Sequence, residues 1–308
     1  MGGPFCIAPP TVLGKCRPMD IKAILMGLAF AAMWSSAFTS ARIIVEFAPP
    51  LTALALRFLV SGIIGVTIAW ACGQTFRLSR RQWSGVLVFG VCQNALYLGL
   101  NFVAMQTIEA SLAAIIASTM PLLVALAGWV LMGQRIRPLG VAGLIAGVIG
   151  VTLIMGARLQ GGVDMFGIAL CAIAVVSLTI ATLAVMGASS GGNVLMIVGL
   201  QMLVGSAILW GPALALETFD ITWNWQLIAA FTYTTLVPGL VATWVWFLLV
   251  GRIGAVRAST FHFLNPFLGV ATAAVLLGET LGPVDVIGVL IVAGGILAVQ
   301  LSKQPTIR

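Results

Sequence analysis

Residues 120–150, MPLLVALAGWVLMGQRIRPLGVAGLIAGVIG, align without a gap with residues 265–295, NPFLGVATAAVLLGETLGPVDVIGVLIVAGG. The alignment brings prolines and glycines into register, pairing Pro121 with Pro266, Gly133 with Gly278, Pro138 with Pro283, Gly143 with Gly288 and Gly150 with Gly295. Such a run of matches is difficult to obtain by chance. The chain is therefore predicted to contain two copies of one structural unit.

The composition around this repeat excludes a soluble protein. Of the 308 residues, 61% are hydrophobic and only 7% are charged, whereas soluble domains carry about 25% charged residues. Part of every globule faces water, so a soluble fold of this length could not hide so much apolar surface. The net charge of +7 resides in short loops between apolar runs, which indicates membrane orientation rather than nucleic-acid binding.

Ten stretches are long and apolar enough to cross a bilayer, which takes about 20 predominantly apolar residues per helix. They are residues 22–45, 50–72, 82–105, 109–132, 138–156, 165–186, 193–215, 226–250, 255–277 and 283–302. The runs are too long, and alternate too little, for the strands of a membrane barrel. The sequence predicts an all-α membrane protein with ten transmembrane helices.

Ten spans place both termini on one side of the membrane. Most of the 15 lysines and arginines fall on that side, whereas Arg42 and Arg158 fall on the other, so the termini are predicted to be cytoplasmic. A unit of five spans inverts its second copy. The basic joint after Gly133 would then face the cytoplasm, and the acidic joint after Gly278 would face outward. Inverted repeats that meet at the bilayer midplane are typical of secondary transporters.

These patterns divide the chain into four parts. Residues 1–20 are rich in proline and are expected to be a disordered lead, in which Met19 is a candidate natural start. The first repeat is assigned to residues 21–160 and the second to residues 161–302. Residues 303–308 form a C-terminal tail.

The ninth predicted span contains His262, the single histidine of the chain, four residues before Pro266. Ser259, His262 and Asn265 recur at spacings of three and share one helix face. Ionisable groups inside a membrane usually face the bundle or a water-filled cavity, so His262 and Asn265 are expected to line a binding cavity. The alternative is a histidine bonded to a neighbouring helix.

Pro121 and Pro266 each remove a backbone hydrogen bond from a predicted span. Two kinked helices related by the repeat could open a central cavity and act as hinges. A kink that serves packing alone is the alternative.

The third predicted span carries the clearest polar stripe. At 100° per residue, Gln93, Asn94, Tyr97 and Asn101 fall within one arc of a helix that is otherwise apolar. Amides that faced lipid would lack hydrogen bonds, so this arc is expected to face a wet pocket or, alternatively, a neighbouring helix.

Three further side chains are candidates for contact with a substrate. Trp34 and Tyr233 lie too deep in their spans to be interface anchors, a role that suits Trp223, Trp225 and Trp246. Arg57 lies well inside the second span. It either extends toward the membrane surface or holds a substrate carboxylate.

Several function classes lack support. No Asp or Glu lies in the middle of a predicted span, which disfavours a proton antiporter built on a buried carboxylate. The sequence has no Walker loop and no nucleophile elbow, so an ATP-driven pump or a membrane enzyme is not indicated. Its five cysteines form no CxxC pair, and no metal or cofactor is expected.

The chain resembles the ten-helix branch of the drug/metabolite transporter superfamily, which carries two EamA domains. The resemblance lies in AAIIASTMPLLVALAGWVLMGQRIRPLGVAGLIAGVIGV (113–151) and RASTFHFLNPFLGVATAAVLLGETLGPVDVIGVLIVAGGIL (257–297). Gln134 departs from the family, which often has Glu at this joint. Within the family the chain most resembles bacterial YddG-type exporters of aromatic amino acids. The resemblance implies export through a central cavity between the halves, with spans five and ten on the periphery.

The resulting hypothesis is an inner-membrane exporter of aromatic or other neutral amino acids that works by alternating access. Its partners would be a small-molecule substrate and the lipid bilayer, and the protein could act as a monomer. One rival is a proton-coupled exporter of drugs or other metabolites. Another is a membrane enzyme or a lipid-handling scaffold.

Overall fold

The computed structural model describes residues 20–133, 136–160, 162–185, 192–253 and 258–302. In these ranges the chain is helical and has no β-strand. Ten helices are long and apolar enough to cross a membrane, and we number them as spans 1 to 10. They are Ile21–Phe47, Pro50–Ala71, Arg80–Ala104, Ala110–Leu131, Pro138–Ala157, Met165–Ala184, Val194–Leu216, Trp225–Val250, Ser259–Leu277 and Pro283–Ser302. The predicted all-α class with ten spans is confirmed. The described residues do not include residues 1–19 of the predicted lead, among them Met19, or the tail at 303–308.

Local sequence signals fix where several spans begin and end. The Asp20 carboxylate accepts the backbone N–H of Ala23 at 3.0 Å and caps span 1. Ser79 and Gln82 form a reciprocal capping box at the start of span 3. Gly133 and Gly278 end spans 4 and 9 with φ angles of 62° and 69°, a left-handed conformation that glycine adopts without steric cost.

Four of the described spans change helix type or break along their length. Span 3 consists of an α-helix (Arg80–Phe89), a π-helix (Gly90–Leu98) and a short α-helix (Gly99–Ala104). Span 8 likewise joins Trp225–Leu236 to Ala242–Ile253 through a π-helix at Val237–Val241. Both π-helices fall at the same place in the repeat, because the register that pairs Pro121 with Pro266 pairs residues 90–98 with residues 235–243.

The other two interruptions surround the paired prolines. Span 4 breaks at Thr119, between the helices Ala110–Ser118 and Met120–Met132. Span 9 begins as a 3₁₀-helix at Ser259–Leu264 and becomes an α-helix at Asn265–Leu277. Pro121 and Pro266 are both buried, and each lies in the first turn of the later helix. Proline is tolerated there because its missing N–H would have no partner within that helix.

Glycines bring spans of the two halves into close contact. Spans 5 and 10 pack chiefly against each other, and spans 2 and 7 form a second tight pair. A Cβ atom on Gly143 would lie 2.6 Å from the carbonyl oxygen of Gly295, and one on Gly199 would lie 2.7 Å from the backbone nitrogen of Val66. Real Cβ atoms do not approach backbone this closely, so these crossings require glycine.

Span 1 lies near the centre of the bundle. It contacts spans 8 and 9, while span 9 also contacts span 4, and span 3 contacts spans 6 and 7. Large apolar side chains such as Trp70, Val130 and Val148 are exposed on the outer surface, as expected of a protein that faces lipid.

The loops after spans 1, 3, 5, 7 and 9 lie together at what we call the acidic end. There, Glu217 accepts the backbone N–H groups of Leu51 at 2.7 Å and of Thr52 at 2.8 Å. Glu279 likewise accepts those of Ala110 at 2.7 Å and of Ser111 at 3.0 Å. Each carboxylate comes from the second half of the chain and caps a helix of the first half. We call these contacts the carboxylate clamps.

The opposite end, called here the terminal end, uses amides in the same way. The side-chain oxygen of Gln74 accepts the backbone N–H of Met196 at 2.9 Å, at the start of span 7. Arg252 forms an ion pair with Asp20. Hydrogen bonding from Arg252 holds the pKa of the Asp20 carboxyl far below its usual range.

Candidate functional site

Aromatic rings from spans 1 and 8 pack around His262 of span 9. The imidazole lies with its centroid 5.4 Å from that of Phe30 and 5.2 Å from that of Trp246, both in edge-to-face geometry. Phe30 also lies 4.7 Å from Trp246 and 5.7 Å from Trp34. We call these four rings the aromatic cluster. Their arrangement offers faces and edges on which another aromatic ring could pack.

Polar groups adjoin the aromatic cluster. The amide nitrogen of Asn265 lies 3.0 Å from Nδ1 of His262, and the amide oxygen accepts from Ser35 Oγ at 3.5 Å. With its oxygen accepting from Ser35, the Asn265 amide donates to Nδ1, which leaves Nε2 of the neutral ring to carry the proton. This contact of His262 lies within span 9, whereas Asn265 connects span 9 to span 1. Neither His262 nor Asn265 is fully buried.

Tyr233 marks a second contact to span 1. Its hydroxyl lies 2.7 Å from that of Ser36, and the Ser36 hydroxyl also donates to the carbonyl of Met33 at 2.9 Å. The Tyr233 side chain is 38% exposed. It lines an open groove of about 540 Å³ along one side of span 8. The groove is lined by Trp225, Ile228, Ala229, Thr232, Tyr233, Leu236 and Val237.

The polar stripe predicted for span 3 is divided between neighbouring helices. Asn94 is buried and donates to the carbonyl of Gln201 in span 7 at 2.8 Å. Asn101 donates to the carbonyl of Tyr97 at 2.8 Å and accepts from the thiol of Cys171 in span 6 at 3.3 Å. The 100° step that placed these residues on one arc does not hold through a π-helix, whose hydrogen bonds run from i to i+5.

The side chains of this stripe differ in accessibility. Gln93 is partly exposed, while Asn94, Tyr97 and Asn101 are almost completely buried. The interhelical contacts of Asn94 and Asn101 agree with the alternative considered for the stripe. A direct role of these residues in binding stays a prediction.

Arg57 lies inside the bundle, at 6% exposure. Its guanidinium carbon is 5.2 Å from the centroid of the Phe58 ring. Its Nε atom is buried and has no hydrogen-bond partner among the described residues. An arginine that extended toward the membrane surface would be exposed, so this structure does not show the snorkelling alternative.

Sequence reasoning found His262, Asn265 and Trp34 but missed two of their neighbours. Phe30 was one apolar residue among many in span 1, and its spacing carried no signal. Trp246 was expected at the membrane interface, yet its ring packs against His262. Ordinary helix geometry does not predict this contact, because the π-helix at Val237–Val241 precedes Trp246 and shifts the helix face that it occupies.

The described residues contain no group of three or more His, Cys, Asp or Glu side chains that could hold a metal ion. The loops at the acidic end are instead held by hydrogen bonds that single carboxylates accept. Asp164 accepts from the Thr107 hydroxyl at 2.6 Å, and this bond lowers the pKa of its carboxyl.

The ten apolar spans and the paired interruptions define a multi-pass membrane protein. The EamA-like transporter family matches residues 21–156 and again residues 165–301. The chain therefore belongs to the EamA-like transporter family.

Several curated proteins are similar over most of their length. The uncharacterized transporter YvbV of Bacillus subtilis (strain 168) is 26% identical, over 94% of this chain and 95% of that protein. The uncharacterized inner membrane transporter YedA of Escherichia coli (strain K12) is 25% identical, over 91% of each chain. These relatives are named as transporters.

Two further proteins are similar either over part of the chain or in fold. The aromatic amino acid exporter YddG of Ancylobacter novellus is 31% identical over 45% of this chain and 48% of that protein. A solved crystal structure matches with a TM-score of 0.66 at 21% identity, covering 92% of this chain and 98% of the other. That likeness shows a shared fold.

Proposed function

We propose that this protein exports aromatic or other neutral amino acids across the bacterial inner membrane by alternating access. The observation that carries the proposal is the aromatic cluster joined to Asn265 and Ser35. An amino acid with an aromatic side chain needs an apolar surface for its ring and hydrogen-bonding groups for its polar end. Both kinds of group meet where spans 1, 8 and 9 converge.

The predicted site residues take distinct roles in this proposal. The ring of the substrate packs against the aromatic cluster, which includes Trp34 and His262. Asn265 and the Tyr233 hydroxyl provide hydrogen bonds to its polar end. Gln93, which is partly exposed in span 3, is assigned a contact with the substrate farther along the path, and Asn94, Tyr97 and Asn101 are assigned to the wall behind it.

Alternating access is proposed to arise from two inverted repeats, 21–160 and 161–302, with both termini cytoplasmic. The paired π-helices and the paired prolines support this exchange symmetry, since each interruption in one half has a counterpart in the other. The span contacts support it as well. Exchange of the halves maps the contacts of span 1 with spans 8 and 9 onto those of span 6 with spans 3 and 4. Pro121 and Pro266 would then lie at the hinges.

Transport is proposed to run down the substrate gradient without a coupled proton. All eight acidic residues lie at the ends of spans or in the loops. This leaves no carboxylate in the middle of a span to carry a proton. His262 is the remaining candidate carrier, and its involvement is the basis of the proton-coupled alternative. The location in the inner membrane is supported by the Escherichia coli relative YedA, an inner membrane transporter.

The decisive test is uptake of radiolabelled L-phenylalanine into proteoliposomes containing the purified protein, with and without a pH gradient. We expect uptake above that of empty liposomes. Excess L-tryptophan should reduce this uptake, and the pH gradient should not change it. His262→Ala should reduce it strongly. Thr152→Ala is the matched control, because Thr152 is exposed and bonds only the carbonyl of Val148 in its own helix.

Each contrary outcome points to one rival. Uptake that requires the pH gradient would support the proton-coupled alternative. No uptake of any neutral amino acid would contradict the proposed substrate. If His262→Ala and Gln93→Ala leave the amino acid flux in intact cells unchanged, a membrane enzyme or a lipid-handling scaffold is favoured.

A further inference from the structure

Arg57 is a buried cation that forms no ion pair with a carboxylate among the described residues. It is the eighth residue of span 2, which places its Cα about 10 Å along the helix from the acidic end. At 6% exposure the residue is almost completely enclosed by protein. A buried charge without a partner destabilises the folded protein, so a charged group in such a position normally has one.

Five of the eight acidic residues have other partners. Glu217 and Glu279 form the carboxylate clamps, and Asp20 pairs with Arg252. Asp164 binds Thr107, and Glu46 lies 3.7 Å from Arg42. None of these carboxylates pairs with Arg57, whose buried Nε has no partner in the described part of the chain.

Gly239, in the π-helix of span 8, lies beside the guanidinium. A Cβ atom on it would stand 3.3 Å from the carbonyl oxygen of Thr234, 3.5 Å from Oγ of Ser61 and 3.8 Å from Nη2 of Arg57. The glycine therefore keeps a side chain from packing against two hydrogen-bond donors, the guanidinium and the Ser61 hydroxyl. The Ser61 hydroxyl now makes only a long contact of 3.4 Å to the carbonyl of Thr235.

At the corresponding position in the other half of the chain, the polar group has a hydrogen-bond partner within the protein. The register that pairs Pro121 with Pro266 pairs Gly239 with Asn94 and Arg57 with Met202. Asn94 fills its position and donates to the carbonyl of Gln201 at 2.8 Å. The donor of Asn94 is therefore satisfied within the protein, whereas Arg57 has a donor without a partner in the described part of the chain.

We propose that Arg57 and Ser61, beside Gly239, form an anion site that binds the carboxylate of the transported substrate. The inference rests on the proposed function and deepens it. A guanidinium binds a carboxylate through two parallel hydrogen bonds, which would satisfy the free donors.

The two sites lie at different depths. His262 lies within one turn of Ser259, at the terminal end of span 9, whereas Arg57 lies toward the acidic end of span 2. The anion site is thus a second station along the export path, nearer the release side, and it selects substrates that carry a carboxylate over the corresponding amines.

The test uses Arg57→Met, which places at 57 the residue that occupies the paired position 202. The melting temperature of the purified protein is measured alone, with 3-phenylpropanoate, which has a carboxylate and no amine, and with phenethylamine, which has the reverse. The variant should melt at a higher temperature than wild type without ligand, because it removes an unpaired buried charge.

Arg57→Met should bind 3-phenylpropanoate about tenfold more weakly than wild type, and its affinity for phenethylamine should be unchanged. Arg57→Lys should be intermediate, since lysine keeps the charge without the planar fork.

Two results would overturn the anion site. One is unchanged affinity for 3-phenylpropanoate in Arg57→Met. The other is a lower melting temperature without ligand, which would show that Arg57 is satisfied by the protein. A wild type that takes up no aromatic amino acid would refute the proposed function instead. In that case the anion site is still judged by 3-phenylpropanoate, whose stabilisation of the protein must depend on Arg57.

Discussion

Glu217 binds Thr52 twice across the contact between the two halves of the chain. Its Oε2 atom accepts both the backbone N–H of Thr52, at 2.8 Å, and the Thr52 hydroxyl, at 2.7 Å. The same carboxylate accepts the N–H of Leu51 through its other oxygen. Three donors at the start of span 2 are therefore satisfied by one side chain from the loop between spans 7 and 8.

Glu217→Gln should destabilise the protein, because the amide keeps one acceptor oxygen and turns an N–H group toward donors. Hydrogen bonds to a charged group contribute about 1.5–3 kcal/mol, so a clear fall in melting temperature is expected. Asp220→Asn, an equivalent change at an exposed position of the same loop, is the control. Equal melting temperatures for Glu217→Gln and wild type would show that this clamp contributes nothing.

The ion pair of Asp20 and Arg252 should give a defined pH dependence. The pKa of Asp20 is lowered from its ordinary value of 3.8, so the pair contributes its full stability above about pH 4 and loses it as the pH falls further. Asp20→Asn keeps a good helix cap and removes the charge. Its melting temperature should lie slightly below that of wild type from pH 5 to 8, and the difference should shrink in stronger acid. A difference that grew toward low pH would contradict this assignment.

Two adjacent glycines of span 10 should respond in opposite directions to alanine. A Cβ atom on Gly295 would lie 2.6 Å from the carbonyl oxygen of Gly143, whereas one on Gly294 would meet no atom within 4 Å. Gly295→Ala is expected to cost about 1–3 kcal/mol through overpacking. Gly294→Ala should be neutral or gain about 0.5–1 kcal/mol from helix propensity. Thermal unfolding in detergent measures both, and similar effects for the two variants would refute the close contact of spans 5 and 10.

His262→Phe separates ring packing from hydrogen bonding in the aromatic cluster. Phenylalanine can still pack against Phe30 and Trp246, but it offers no acceptor to Asn265. The melting temperature should stay close to that of wild type, while the KM for L-phenylalanine should rise because the polar end of the site is disturbed. His262→Ala should lower both stability and flux. Wild-type kinetics in His262→Phe would mean that the imidazole acts through packing alone.

The fold was largely predictable from the sequence, because apolar run length and the Pro–Gly register are strong signals. The spans begin and end within a few residues of the predicted positions, and Gly133 and Gly278 adopt the left-handed conformation typical of helix C-termini. The side-chain arrangement was less predictable. Helical arithmetic assumes 3.6 residues per turn, and the π-helices at Gly90–Leu98 and Val237–Val241 break that assumption.

The candidate site was predictable only in part, because sequence patterns identify unusual residues but not the packing between helices. His262 and Asn265 were found because polar residues are rare in such a chain. Phe30 and Trp246 are chemically ordinary in a membrane protein, and only the packing of spans 1, 8 and 9 distinguishes them. Asn94 and Asn101 were expected to face a wet pocket, with a neighbouring helix as the alternative, and the sequence could not say which helix each would contact.

Inverted halves are the central claim of this account, since alternating access between equivalent conformations depends on them. The most direct measurement is labelling of single cysteines at Arg137 and Thr280, both exposed in the joints before spans 5 and 10, in a background without native cysteines. A membrane-impermeant maleimide added to intact cells should label Thr280→Cys and leave Arg137→Cys unmodified until the membrane is opened. Labelling of both positions from the same side would contradict the inverted repeat and the transport mechanism built on it.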